Sequence, residues 1–262
     1  MVALGLPSTA DTSLILSKIA RLDLMNVIRE AGLTDLDFAK LRYFYPEGRR
    51  SMSAGTTYEL FTRYLNAVIP AKLGPNVERL RTFTQRLVRD AAESGNAYYQ
   101  AFVRSSKGSM FENFVKMYVP EFVDKAVDRA DVLRSGGKLL RCDFFVEATG
   151  EIWDFKNIEE PLGADEVSKY ANLVGQARTT KNFEVKSVNF LFTTEGIAGR
   201  NWSKLTADLY RYKVWYLKQE GIIPRLVEMT HAPDPAILRQ MDSVGIDGAG
   251  APSLVESQWS HD

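Results

Sequence analysis

Apolar positions recur at helical spacing through the first ninety residues, and alternating or continuous apolar runs take over further along. Leu14, Ile15, Ile19, Leu22 and Val27 form one stripe, and Phe38, Leu41 and Phe44 form a second behind Thr34-Asp35. Tyr58, Phe61, Leu65 and Val68 predict a third helix, stopped by Pro70. Residues 76–93 predict a fourth, with Val77, Leu80, Phe83 and Leu87 inward and Arg79, Arg86 and Arg89 away from that face. Residues 96–103 and Ser109–Tyr118 read as two further helical segments, the second closed by Pro120.

Strand patterns then follow. Residues 130–134 predict a weak strand ended by Ser135-Gly136-Gly137. Residues 138–148 predict a strong one, Thr149-Gly150 a turn, and residues 151–157 its antiparallel partner, a β-hairpin. A helix is expected over 164–181 and a strand buried on both faces over 185–193. A long helix over 201–219 and a strand over 222–229 complete the order. This order predicts an α/β fold, with a mixed central sheet flanked by helices and preceded by a helical N-terminal region. The expected parts are a helical region 1–94, a sheet domain 95–230, and a C-terminal tail 231–262 with a short helix near 234–243.

Charge sharpens the division. Residues 1–90 carry 13 basic and 9 acidic side chains, residues 91–230 carry 19 of each, and the tail carries one basic against five acidic. The whole chain of 262 residues has zero formal net charge, which excludes a histone-like basic shell but not a local basic groove. Hydrophobic residues at 45% and charged residues at 25% exclude a globally disordered chain. A single cysteine, Cys142, excludes an intrachain disulfide, and two histidines, His231 and His261, leave little for histidine-rich metal chemistry. No apolar run is long enough to span a bilayer, and the opening residues lack a secretory leader pattern, so a cytoplasmic protein without membrane contact is expected.

The chemistry concentrates on the hairpin. Asp154 and Lys156 are two apart on one strand and share a face, and the turn brings Asp143 of the partner strand near them. Carboxylates among Phe144, Phe145, Ile152, Trp153 and Phe155 are costly to desolvate. A divalent cation would offset that cost, and Mg²⁺ favours one or two carboxylates, a carbonyl such as that of Phe155, and retained waters. Lys156 could then hold or deprotonate an attacking water, or steady charge on phosphorus. The plain alternative is a solvated ion pair of little worth.

Asp143 followed by Asp154-Phe155-Lys156, on a hairpin between helices and before a buried strand, resembles the PD-(D/E)XK nuclease superfamily, the restriction-endonuclease-like phosphodiesterases. The resemblance spans about residues 95–195. Cys142 stands where many members have proline. The resemblance implies an αβββαβ core and hydrolysis of nucleic-acid phosphodiesters with Mg²⁺, Mn²⁺ substituting. Asp143, Asp154 and the Phe155 carbonyl would be metal ligands, with Lys156 the catalytic lysine. Many members add a helix glutamate. Glu112 fits that role, but it equally fits a capping box returning to Ser109, and Glu121 is a weaker substitute. Gln176 is similar to a glutamine that some members place near the scissile phosphate. Lys169 and Tyr170 could line the same cleft, or be ordinary helix surface and core. Lys204 and Arg211 are candidate phosphate contacts, while the aromatics around them suit a core.

These features imply a metal-dependent endonuclease, with DNA favoured over RNA. Its architecture looks like bacterial polymorphic-toxin effectors, which act beside a cognate immunity protein and reach a target cell through a specialised secretion system. The alternatives are a defence, mobile-element or DNA-repair nuclease acting in its own cell, and a catalytically silent binding module of the same fold. Alanine at Asp143 or Asp154 is expected to remove cleavage without unfolding the chain.

Overall fold

The computed structural model describes residues 62, 64–93, 95, 97–123, 133–135, 138–140, 142–146, 148–163, 165, 166, 168–170, 174, 185–203 and 212–230. The stripes expected up to Phe61, residues 130–132 of the weak strand, most of the helix expected over 164–181, the tail helix near 234–243, and Gln176, Lys204 and Arg211 lie outside these residues. The chain divides into two compact units. One holds Met1–Tyr118 with Gly221–Ile223, and the other holds Val119–Glu220 and Pro224–Asp262.

The first unit is helical where it is described. A π-helical segment, Tyr64–Val68, runs into α1, Ile69–Leu73, and α2 spans Val77–Glu93. Pro70 does not stop the helix. It sits in the first turn of α1, where a missing N–H is tolerated. Asn66 stands four residues before Pro70, so its carbonyl cannot receive the usual i−4 amide. The Asn113 side-chain amide donates to it instead, at 2.6 Å. The wide turn and the borrowed donor let the chain pass the proline, and it stops at Gly74, whose φ of 70° suits a glycine. Along α2, Val77, Leu80, Phe83 and Leu87 are buried, as their spacing predicts.

Helix α3 runs unbroken over Ala97–Tyr118, not as two segments. Gly108 costs helix propensity but breaks nothing, because Phe102, Val103, Met110, Phe111, Phe114 and Val115 are buried along its length. Ser109 is therefore in mid-helix, and its hydroxyl donates back to the Ser105 carbonyl. The capping box expected at Ser109–Glu112 is not formed.

The second unit is built on a five-stranded sheet. A short helix, α4 (Pro120–Val123), leads to a separate two-stranded ribbon of β1 (Leu133–Ser135) and β2 (Lys138–Leu140). The sheet follows in the order β3 (Phe144–Val146), β4 (Glu151–Lys156), β5 (Ser187–Phe192), β6 (Lys213–Glu220) and β7 (Ile223–Glu228). β3 and β4 are antiparallel, and β4–β5 and β5–β6 are parallel, so the sheet is mixed as expected. The hairpin turn closes at Gly150, with φ 70°. Its carbonyl accepts the Lys186 amide at 2.8 Å, tying the turn to the approach to β5.

Two strand expectations need correction. The run 138–148 is not one strand. Its first part pairs with β1, and only Phe144–Val146 pairs with β4. The region 201–219 is not one helix. Helix α5 covers Glu195–Ser203, and Lys213–Glu220 is strand β6. Val214, Trp215, Tyr216 and Leu217 favour a pleated, half-buried surface, and pairing with β5 decides the matter.

The faces of the sheet follow from alternation. Ile152, Val188, Phe190, Phe192 and Val214 point into one core with Phe145, Tyr170, Val174 and Ile197. Trp153 and Phe155 face the other way, where Phe122 of α4 meets Phe144, Trp153 and Phe155 edge-on at 4.9–5.2 Å. Buried Asn189 braces three strands. Its amide nitrogen donates to the Ile152 carbonyl at 3.2 Å, and its oxygen accepts Trp215 Nε1 at 3.0 Å.

Candidate active site at the end of the hairpin

Asp154 occupies the row of Ile152 and Lys156, the face that carries the apolar core. Its register partner on β5 is Phe190, whose ring meets the Tyr170 ring edge-on at 5.3 Å. Asp154 is only 4% exposed, so its charge needs a partner close by. The Lys156 ammonium supplies one, 2.7 Å from Asp154 Oδ2, and it also contacts Glu166 Oε1. The Lys156 side chain is 12% exposed and that of Glu166 is 36% exposed. The pair is thus buried, and the solvated alternative does not describe it. Asp154 Oδ2 nevertheless has no donor aligned with it as a hydrogen bond.

Asp143 reaches the site by a local irregularity. Phe144 is paired with Trp153, yet the Asp143 amide also donates to the Trp153 carbonyl, at 3.1 Å. Two successive residues thus face one, the pattern of a β-bulge, which re-aims a side chain. The Asp143 carboxylate accepts the Phe155 amide at 2.7 Å through Oδ2. β2 has left the sheet here, so the carboxylate replaces the backbone partner that β3 would have offered. The Phe155 carbonyl leaves on the same edge of β4 as its amide.

The electrostatics follow from this arrangement. Burial alone would lower the Lys156 pKa, but Asp154 and Glu166 outweigh it and hold the ammonium above the ordinary lysine range. Burial, then the charges of Asp154 and Asp143, push the Tyr170 hydroxyl well above the usual tyrosine value. That hydroxyl lies in the field of both carboxylates, with Asp154 as its nearest acceptor. Both groups keep their protons in the folded state at pH values where the unfolded chain loses them. Their contribution to stability is full below about pH 10 and is lost as pH rises through the folded values. Urea denaturation between pH 8 and pH 12 is expected to show that decline, and tyrosine absorbance is expected to show one residue ionising last.

Of the sequence-derived candidates, the structure brings together Asp143, Asp154, Phe155 and Lys156. Tyr170 joins them through its hydroxyl only; its ring is fully buried and lines no open cleft. Lys169 is half-buried, its ammonium 4.8 Å from the centre of the Tyr170 ring. Glu112 belongs to the helical unit and holds Lys116 at 2.7 Å, one turn along α3. Tyr212, Trp215 and Tyr216 are in or against the sheet core, which agrees with the core reading of those aromatics.

Glu166 is the residue that the sequence reading passed over. The turns after β4 fix it in place. The Leu162 amide donates to buried Asn201 of α5 at 2.8 Å, and the Glu166 amide donates to the Gly163 carbonyl at 3.1 Å. Its one sequence signal is the i, i+4 spacing to Tyr170, which puts both on one helix face.

Asp154, Asp143 and the Phe155 carbonyl are the groups that could hold a divalent cation. Asp154 Oδ2 is a buried acceptor without an aligned donor, and the second carboxylate and a backbone carbonyl stand at the same strand end. Among the described residues no group of three or more His, Cys, Asp or Glu side chains is set to hold a metal ion. Mg²⁺, which keeps several waters, asks for fewer protein ligands than that.

The Asp143 contact changes one expectation. Asp143→Ala leaves the Phe155 amide without its acceptor and is expected to cost about 1–3 kcal/mol of stability. Asp143→Asn retains an acceptor oxygen and is expected to hold most of that stability while losing the charge. Equal urea midpoints for wild type and the alanine variant would show that the bond contributes nothing.

Among the described residues no helix is long and apolar enough to cross a membrane. No family model, curated protein or solved structure matches the chain.

Proposed function

We propose that this protein is a metal-dependent nuclease of the restriction-endonuclease-like class, hydrolysing phosphodiester bonds with DNA favoured over RNA. One observation carries the reading: a buried carboxylate, Asp154, shares its strand face with a contacting Lys156, and Asp143 of the paired strand reaches the residue between them. The order of elements supports it. An antiparallel hairpin, helical turns and a parallel buried strand follow the order of the ββαβ part of an αβββαβ core, while β1 and β2 pair apart from the sheet. The acidic pair also stands at the carboxyl end of β4, where sheets with parallel strands collect ligands.

In this reading Asp143, Asp154 and the Phe155 carbonyl hold Mg²⁺, or Mn²⁺ in its place. The bound cation would supply positive charge at the scissile phosphate and a more acidic water. In this role Lys156 would steady charge developing on the phosphate oxygens or hold the attacking water. The Tyr170 hydroxyl can donate to Asp154 as charge shifts. Gln176 remains a proposal for further catalytic contact, and Lys169, Lys204 and Arg211 for backbone phosphates.

The biological role proposed is that of an interbacterial toxin held in check by an immunity protein. The test is digestion of plasmid DNA and of tRNA with Mg²⁺, Mn²⁺ or chelator, joined to expression in a naïve bacterium. Cleavage with metal, and toxicity lost in Asp154→Asn, support the toxin. Cleavage without toxicity supports a defence, mobile-element or repair enzyme. No cleavage with any divalent metal overturns the nuclease and leaves a binding module.

A further inference from the structure

Lys156 and a metal ion would compete for one atom. The ammonium lies 2.7 Å from Asp154 Oδ2, the buried oxygen best suited to a cation. Two positive charges cannot share that position in so dry a site without strong repulsion, so a bound dication drives the ammonium off. The lysine stem is long and flexible, and an ammonium without a second partner would turn outward to water. It has such a partner in Glu166.

We propose that Glu166 is a positioning residue: it retains the Lys156 ammonium at the reaction centre when a divalent cation takes Asp154. The proposal rests on the nuclease reading and adds to it a residue outside the hairpin motif. Three observations support it. Glu166 contacts the same ammonium that Asp154 contacts. Its loop is tied to the second unit's core through the Gly163 carbonyl, the Leu162 amide and the buried side chain of Asn201. Its side chain is 36% exposed against 5% for Asp154, so it carries its charge at lower desolvation cost and offers the easier place for a displaced ammonium.

The experiment uses the full chain and Mn²⁺ alone, followed by calorimetry, with plasmid cleavage as a second readout. Wild type is measured first. Failure to bind Mn²⁺ there removes the nuclease reading, and this proposal with it, before any Glu166 variant is considered. Given binding, Glu166→Gln is expected to weaken Mn²⁺ affinity about tenfold, because Lys156 then has Asp154 as its remaining anion. It should also lower kcat with KM for DNA unchanged, and Glu166→Asp should recover part of the rate. In a Lys156→Ala background, Glu166→Gln should change Mn²⁺ affinity by less than about twofold. Lys156→Met serves as a second background should the alanine variant fold poorly. Wild-type affinity and kcat in Glu166→Gln would overturn the proposal. So would a tenfold loss that persists without Lys156, since Glu166 would then be acting on the cation directly.

Discussion

Asp154→Asn is expected to lower metal-dependent cleavage at least about a thousandfold, a loss of about 4 kcal/mol in transition-state stabilisation. The substitution keeps the shape of the side chain and removes its charge. Asp154 is the more deeply buried of the carboxylates around Lys156, and its Oδ2 lacks an aligned donor. In the proposed reading its charge serves the cation. Lys156 keeps Glu166 in the variant, so stability should change by no more than about 1 kcal/mol. Initial rates on supercoiled plasmid in Mg²⁺, with a melting curve of the same sample, separate the two effects. Cleavage within tenfold of wild type would remove Asp154 from the metal and end the nuclease reading.

How much of this was legible in the sequence depends on the range of the forces involved. The second hairpin strand, its Thr149-Gly150 turn and the buried β5 were readable because alternation and a glycine at positive φ are local signals. The shared face of Asp154 and Lys156 followed from the two-residue period alone. The nearness of Asp143 followed from the turn, but the contact it makes did not. Its carboxylate reaches the Phe155 amide because a bulge shifts it and because β2 departs to pair with β1, a choice between two partners that 138–148 cannot reveal by itself. Strand β6 was hidden for a similar reason. Tyr212 to Leu217 has aromatic and aliphatic residues in almost every position, and only its place between β5 and β7 makes it a strand. Glu166 was hidden because Asn201 sets its position, and Asn201 lies on a helix beyond β5. The continuity of α3 through Gly108 depends on burial along its length, which a mid-helix glycine and a plausible cap at Ser109 mask.

Lys156→Ala is expected to have the largest effect on stability, about 3–5 kcal/mol in the presence of chelator. Removing one member of a buried ion pair costs more than the pair was worth, because the other charge remains. Here the remaining charge is Asp154, 4% exposed and flanked by Phe190, with the Tyr170 hydroxyl a neutral polar neighbour on that side. Mn²⁺ should then do for the variant what the ammonium does for the wild type. At a hundredfold excess over its dissociation constant a bound ligand adds about 2.7 kcal/mol, so most of the loss should return on addition of metal. The wild type should gain less, because the cation must first displace Lys156. Cleavage should stay absent even in the metal-stabilised variant, since the charge that Lys156 brings to the phosphate is not replaced. Lys156→Met, which retains an apolar stem, tells lost packing from lost charge. Urea denaturation with and without Mn²⁺ measures each quantity. A variant as stable as wild type in chelator would mean that the buried carboxylate has found another partner, and the case for a cation in its place would fall with it.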